Sequence, residues 1–301
     1  MIASLLLSLD TPCKSIYPEI LKNLIEVPMK TLLSLRFTFL LSMAILTLGL
    51  IVPLPSFSAG KARAAQKTHF NVAFDMAHNE IFSPENNGKL HYSTFYKGFK
   101  KAGARTSVNH RLVTQEIIKD LDAYVIAGPA SPFITPEIMT LQGFVHDGGS
   151  LLVLLHIASP VARLTESFGI ILSNFVISEK ENTIEGKSQD FFVTDLAPSQ
   201  VTKGLKKIAV FGTWGLMAER NARVVARTSP KAWADLNRNR TLEKNEPVQS
   251  FGIVAEKKFG SGRIIVVADD APFANAFIKR GDNAKLAQNI INLFKANPVK
   301  R

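Results

Sequence analysis

Cysteine is almost missing from this chain: of 301 residues, only Cys13 carries a thiol. Everything after it can form neither a disulfide within itself nor a cysteine nucleophile. Cys13 also lacks the small-residue context that a lipid-attached cysteine needs after an apolar run. No G-x-S-x-G frames either serine expected in a loop after a strand, Ser131 in GPASPF or Ser159 in HIASPV. A nucleophile elbow wants small neighbours, and Pro160 removes the N–H that would complete an oxyanion hole, so serine hydrolysis is set aside. There is no basic run interleaved with aromatics, so no nucleic-acid partner is expected. Internal repeats, low-complexity tracts and long linkers are also missing, which favours a single domain over two.

What is present starts with bulk: 46% hydrophobic residues over 301 positions are enough to bury a proper core. The formal charge is +11, and the first 64 residues hold six Lys/Arg against three Asp/Glu, leaving +8 for the rest. That charge is scattered in pairs such as Lys100-Lys101 and Lys206-Lys207, the pattern of a solvated basic surface.

The N-terminal region has the layout of an export signal. From Met29 the chain reads MKTLLSLRFTFLLSMAILTLGLIVPLPSFSAGKARAAQ, with basic Lys30 and Arg36, an apolar stretch over 37–52, then Pro53, Pro55 and small residues. Ala62-Arg63-Ala64 and Ser56-Phe57-Ser58 both suit cleavage. The apolar stretch has 16 residues, short of the roughly 20 that a spanning helix takes. Residues 29–64 are therefore expected to be a signal peptide, residues 1–28 a mis-assigned upstream extension, and residues 65–301 the folded domain. Location follows as periplasmic or secreted. The alternative is an uncleaved anchor in the inner membrane over 37–52, the one condition under which a membrane is a partner.

From residue 68 onward, apolar runs alternate with amphipathic stretches, as in a parallel sheet with crossover helices. HFNVAFD reads as a first buried strand, YSTFYKGFKKAG as a helix with Phe95, Tyr96 and Phe99 on one face, and DAYVIAG as a third strand. TPEIMTLQGFVHDGG predicts a helix with Thr135 as N-cap and Pro136 in first helical position. SLLVLLH is a continuous apolar strand suited to the middle of a parallel sheet. The second half reads as a β-rich insertion, then a hairpin turning at Gly260-Ser261-Gly262 and a closing amphipathic helix.

FDMAH, GGSLLVLLH, AWADLNRNRTLEKNEP and FGSGRIIVVADDAPFAN together resemble the class I glutamine amidotransferase-like superfamily. More narrowly they are similar to its secreted GIFT-type branch, related to domains of gliding-motility ABC-transport components and intraflagellar transport proteins. The resemblance covers about residues 68–296. It implies an α/β fold, a flavodoxin-like three-layer sandwich with a mostly parallel central sheet. It does not carry amidotransferase chemistry, which needs a cysteine on a nucleophile elbow; this chain has none after Cys13.

Two sites are candidates. In an open parallel sheet, ligands bind outside the carboxyl ends of the strands. Asp75 and His78 follow the first strand, Gly128-Pro129 the third, His156 the middle one, and Asp269, Asp270 and Asn275 the last. Such groups could hold a metal, act as acid and base, or bond a polar ligand; alternatively, they cap helices and satisfy loop carbonyls. The second candidate is DLNRNRTLEKNE, residues 235–246. Asp235, Asn237, Asn239, Glu243 and Glu246 fall at positions 1, 3, 5, 9 and 12, with the Thr241 carbonyl at 7, the spacing of an EF-hand calcium loop. Against calcium stand Arg240 where the turn wants glycine, a net loop charge of zero, and strands where EF-hand helices belong. A weak calcium site and a self-bonded polar turn both remain open.

The resulting expectation is an exported, non-catalytic binding domain that takes a polar small molecule, glycan or protein partner at the carboxyl edge of the sheet. Calcium is the one cofactor suggested. A metal-dependent or acid/base hydrolase using the same Asp/His cluster is the rival, and a membrane-anchored accessory subunit of an ABC-type transporter is the third reading.

Overall fold

The computed structural model describes residues 70–299, all within the unit Ala64–Arg301. The expected extension, signal peptide, alternative anchor and Cys13 lie outside the described residues. Among the described residues, no helix is long and apolar enough to cross a membrane.

The first half alternates as its apolar periodicity predicts: β1 (Phe70–Asp75), α1 (Ser93–Lys101), β2 (Ala104–Asn109), α2 (Gln115–Ile118), β3 (Ala123–Ala127), α3 (Thr135–His146) and β4 (Ser150–Leu154). After a short 3-10 turn come α4 (Ala162–Ser167), β5 (Ile170–Ser178), β6 (Thr183–Ile184), β7 (Lys187–Val193), β8 (Asp195–Leu196), β9 (Ile208–Phe211), β10 (Trp214–Ala218), β11 (Arg223–Arg227) and β12 (Trp233–Asp235). The chain closes with β13 (Gly252–Phe259), β14 (Gly262–Val267) and α5 (Asn283–Lys295).

The main sheet runs β12-β5-β10-β13-β14-β4-β3-β1-β2, with β11 and β8 joined beside β13, and β6-β7-β9 form a separate small sheet. It is mixed. Only β2, β1, β3, β4 and β14 are mutually parallel. The expected mostly parallel sheet is thus partly parallel, and much of the β-rich second half extends the same sheet antiparallel. The reason is connection length: β13 and β14 are joined through a tight turn at Gly260-Ser261, which permits only an antiparallel neighbour, whereas a parallel one needs a crossover of a dozen residues or more.

Period-2 patterning sends side chains of one strand to both faces. Phe70, Val72 and Phe74 of β1 pack with Phe95, Tyr96 and Phe99 of α1 and with Leu286, Ile290 and Phe294 of α5. Ala73, with Tyr124, Ile126, Leu151 and Val153, joins Ile138, Leu141, Phe144 and Val145 of α3 on the other side. β3 and β4 are buried throughout because both faces are covered, which is why they read as unbroken apolar runs.

The start of α3 differs from expectation by one residue. Ile134 takes the N-cap position in extended conformation, with Thr135 and Pro136 already helical. The cap is supplied from inside the helix, where Glu137 Oε2 accepts the Ile134 N–H at 3.1 Å.

The hairpin turn is packed closely against the end of α3, where the Ser261 N–H donates to the His146 carbonyl at 2.8 Å. A Cβ on Gly262 would lie 2.2 Å from the carbonyl oxygens of both Gly149 and Val145. Neither oxygen can swing aside as a side chain would. Gly262→Ala is accordingly expected to cost about 2–3 kcal/mol, roughly 5–10 °C in Tm for a domain of this size; an unchanged melting curve would refute this packing.

Candidate functional site

The register aligns the carboxyl ends of β1, β3, β4 and β14 along one edge, where the polar residues collect into two groups. The first is buried. Asp75, the last residue of β1, accepts the Tyr124 hydroxyl on Oδ1 at 2.6 Å and meets His78 Nδ1 with Oδ2 at 2.6 Å. The other ring nitrogen of His78, Nε2, lies 3.3 Å from Glu137 Oε2, and the ring stacks on Phe133 with centroids 3.6 Å apart. Glu80 Oε2 accepts the His78 backbone N–H at 3.0 Å, while its Oε1 is buried with no hydrogen-bond partner. Asp75 and His78 are each only 2% exposed, so no ligand reaches them from solvent as they stand.

Electrostatics follow from that burial. Desolvation pulls the His78 pKa down, but its bonds to Asp75 and Glu137 outweigh it and hold the imidazole above its ordinary value. Burial, reinforced by the neighbouring Asp75 charge, pushes Glu80 up to about 8, so Glu80 carries a proton at neutral pH. The first group is thus a buried imidazole bonded on both ring nitrogens to carboxyl groups, with the protonated Glu80 beside it. Asp75, His78 and Glu80 can each offer a ligand atom with all three within 4.8 Å of one another. Both ring nitrogens of His78 are already engaged, however, and a metal would have to replace the Asp75 bond. The donor set fits a structural ion cluster better than a metal centre.

The second group opens to solvent. Asp270 Oδ2 accepts the buried Tyr92 hydroxyl at 2.5 Å, and His156 Nδ1 sits 3.3 Å from both Asp270 oxygens. The hydrogen bond to Asp270 raises the His156 pKa against the opposing effect of burial. The His156 side chain is 39% exposed. It faces a cleft of about 280 Å³ with Phe82, Leu90, Phe211, Phe277 and Asp270. Phe211 and Phe277 stack at 4.1 Å, and Phe82 stands edge-on to the imidazole at 5.3 Å. Gly128 directly follows β3 at φ +65, and a Cβ there would come 2.8 Å from Asp270 Oδ2 and 3.1 Å from His156 Cβ. Glycine at this position is what lets the strand end approach the pair.

The remaining predicted residues go elsewhere. Asp269 turns away from its neighbour: Oδ2 accepts the Phe211 N–H at 2.5 Å and Oδ1 the Ala271 N–H at 2.9 Å, tying β9 to the end of β14. Its burial, with the Asp270 charge adjacent, raises its pKa well above the carboxylate range. Asn275 pins the segment before α1, accepting the Thr94 N–H at 2.9 Å and donating to the Gly88 carbonyl at 2.8 Å. Asp235 is the last residue of β12, and Asn237, Asn239, Thr241, Glu243 and Glu246 follow it, at the sheet edge opposite β2.

Sequence reasoning missed Glu80, Tyr92, Tyr124 and Glu137, which complete both groups, and the aromatic wall of Phe82, Phe211 and Phe277. Tyr92 and Glu137 lie at helix starts and Tyr124 inside a strand, where nothing in their spacing marks them as polar partners. A larger cavity, about 990 Å³, lies elsewhere, between the 196–205 segment and the β13/β14 hairpin; there Glu256 already pairs with Arg223 and Ser199.

Fold and edge geometry define a mixed α/β domain with a half-open Asp–His pair at the carboxyl ends of its parallel strands. The chain belongs to the family described as domain of unknown function DUF4350, whose model matches residues 84–291. No curated protein matches it. Among solved structures it is similar to the "mmIFT52 N-terminal domain", with 15% identity over 76% of this chain and 100% of that one and a TM-score of 0.61. Cytoplasmic Protein STM1381 from Salmonella typhimurium LT2 follows with 11% identity, coverage of 77% and 100%, and a TM-score of 0.50. A ThuA-like protein from Bacteroides uniformis ATCC 8492 overlaps more loosely, with 12% identity, coverage of 77% and 92%, and a TM-score of 0.42. At these identities the likeness to the first two is one of fold alone.

Proposed function

We propose that this chain is an exported binding domain of amidotransferase-like fold, a flavodoxin-like three-layer arrangement of the GIFT-type branch without the catalytic cysteine. Its ligand is a polar, hydroxyl-bearing small molecule of the saccharide kind, held in the cleft beside His156. The observation that carries this reading is the His156–Asp270 pair in an aromatic-walled cleft. A ring face packs on Phe277 or Phe82, while His156 and Asp270 meet hydroxyls. The buried Asp75 group supports the edge from beneath without touching the ligand.

Titration calorimetry of the full chain against neutral and anionic mono- and disaccharides tests it. Binding should weaken at least about tenfold, some 1.4 kcal/mol, in both His156→Ala and Phe277→Ala. Undiminished binding in both variants, or no binding of any sugar, would sink the proposal.

One feature favours acid/base hydrolysis as a second reading: with Nδ1 on Asp270, His156 is oriented to present Nε2 as a general base. Turnover of a nitrophenyl glycoside or ester that disappears in His156→Ala would promote that reading over simple binding. The role of a transporter subunit rests on retention of residues 37–52.

A further inference from the structure

We propose that the groove of about 990 Å³ between the 196–205 segment and the β13/β14 hairpin is a second binding site, independent of the His156 cleft, for a small molecule that carries a phosphate on an apolar body. Its volume lies at the upper end of the range of small-molecule pockets, about 300–1,000 Å³.

Strand register builds the cationic end. Lys258 of β13 and Arg263 of β14 are directly opposed across the hairpin, so their side chains leave the same face of the sheet, the one that α5 covers further along. Like charges opposed in this way destabilise a strand pair. Nothing within the groove offsets them, for Arg263 Nε is buried with no hydrogen-bond partner. Glu256, two residues before Lys258 on the same face, is already engaged: Oε1 accepts the Arg223 Nε–H at 2.8 Å and Oε2 the Ser199 hydroxyl at 2.9 Å. Burial pulls the Arg263 pKa down against the help of the Glu256 charge, yet a guanidinium keeps its proton at any physiological pH. Lys257, between Glu256 and Lys258, turns to the other face, where its Nζ donates to the Phe168 carbonyl at 2.8 Å. Lys203 lines the groove from the facing wall. Since Arg223 holds the one acid of the lining, Arg263, Lys258 and Lys203 have no carboxylate partner there. Three such cations match a dianionic phosphate better than a monoanionic carboxylate, and the guanidinium fork can take two of its oxygens.

The other end is apolar. Leu196, Leu205 and Leu293, all partly buried, line the same groove and pack on the core beneath it. Its wall is fixed in advance. The Ala197 N–H donates to the Val225 carbonyl at 2.9 Å, the Thr202 hydroxyl to the Ala197 carbonyl at 2.6 Å, and the Asn289 amide of α5 to the Val201 and Lys203 carbonyls, each at 3.0 Å. A preformed wall loses little conformational freedom when a ligand arrives. Burial of an alkyl or aryl body against the leucines supplies affinity that a bare phosphate ion lacks.

Titration calorimetry of the full chain at low ionic strength, with dissolved octyl phosphate, inorganic phosphate and octanol as probes, tests the site. Octyl phosphate should bind at least about tenfold more tightly than inorganic phosphate, and octanol not measurably. Arg263→Gln and Lys258→Gln should each weaken octyl phosphate about tenfold or more, while relief of the like-charge pair raises the ligand-free Tm by about 1–3 °C. Lost binding with a raised Tm separates a binding role from a structural one, whose removal would lower Tm. Lys244→Gln, an exposed charge outside the groove, should change neither. Equal affinity for octyl and inorganic phosphate, an equal loss in Lys244→Gln, or binding undiminished in Arg263→Gln and Lys258→Gln would overturn the site. Should Arg263→Gln fold poorly, Lys258→Gln decides, because Lys258 is exposed. Sedimentation with phosphatidylglycerol vesicles that is lost in Lys258→Gln would identify a lipid as the source of the phosphate; octyl phosphate binding without it would identify a free phosphate ester, and either upholds the site.

Discussion

Replacing Asp75 with alanine is expected to destabilise the protein by about 3–5 kcal/mol, the range for removing one partner of a buried ion pair. The Tyr124 hydroxyl would lose its acceptor and the His78 ring its closer carboxyl partner, both beyond reach of water. A loss of this size moves the urea midpoint by a molar unit or more, since m for small proteins is about 1–3 kcal/mol per M. His156→Ala, at the half-open pair, should cost much less, because its imidazole is partly solvated and its partner Asp270 keeps the Tyr92 hydroxyl. Equal, small effects of both variants would mean that the Asp75 group is not a structural cluster. The contrast separates the two groups at this edge: one holds the fold, the other faces the cleft.

Stability should fall as pH rises from about 4.5 toward 8. The Glu80 pKa in the folded state, about 8, stands far above its unfolded value of 4.5, so between these limits the native state holds a proton that the unfolded chain has lost. Since stability changes with pH according to the protons bound in the unfolded state minus those in the native state, the slope there is negative. The stability from Glu80 is complete below the unfolded pKa and lost as pH passes through the folded one. His78 and His156, both raised, add the same sign over the upper part of this window, starting from the ordinary imidazole value of 6.5. Asp269, also raised, adds to it from the acid side. Glu80→Gln mimics the protonated carboxyl and keeps an oxygen for the His78 N–H. It should flatten the profile and raise stability at pH 8 by on the order of 2 kcal/mol relative to the parent. A thermal profile flat from pH 5 to 8, or one rising with pH, contradicts the assignment of a protonated Glu80.

Much of the parallel half was legible because its signals are local. FNVAFD, AYVIA and SLLVL are short apolar runs between turn residues, and the spacing of Phe95, Tyr96 and Phe99 marks one helical face. The strand-end rule also led to Asp75, His78, His156 and Asp270, since residues after parallel strands share an edge whatever the loops do. The antiparallel extension was not legible in this way. Each second-half strand alternates like any half-buried strand, and nothing in ILSNFVIS says that it will lie between β12 and β10. Nor could spacing tell that Asp269 and Asp270, adjacent in the chain, face opposite ways, one tying β9 and the other holding His156.

By itself the sequence determined the thiol-free domain, the alternation of apolar strands with amphipathic helices in the first half, and which polar residues end the strands. It determined these because composition and periodicity act over a few neighbouring residues. Only the tertiary structure decided which of those residues are buried and which are open. His78 is enclosed by Glu137 and Phe133 from a segment more than fifty residues away, while His156, with the same chemistry, is left beside a cleft. It likewise decided that Asp235 is fully buried, with one carboxylate oxygen accepting the Arg240 N–H and the other without a hydrogen-bond partner. Burial and hydrogen-bond satisfaction depend on what long-range packing brings near, and that packing, more than the identity of the side chain, sets whether a carboxylate or an imidazole supports the fold or is left to bind.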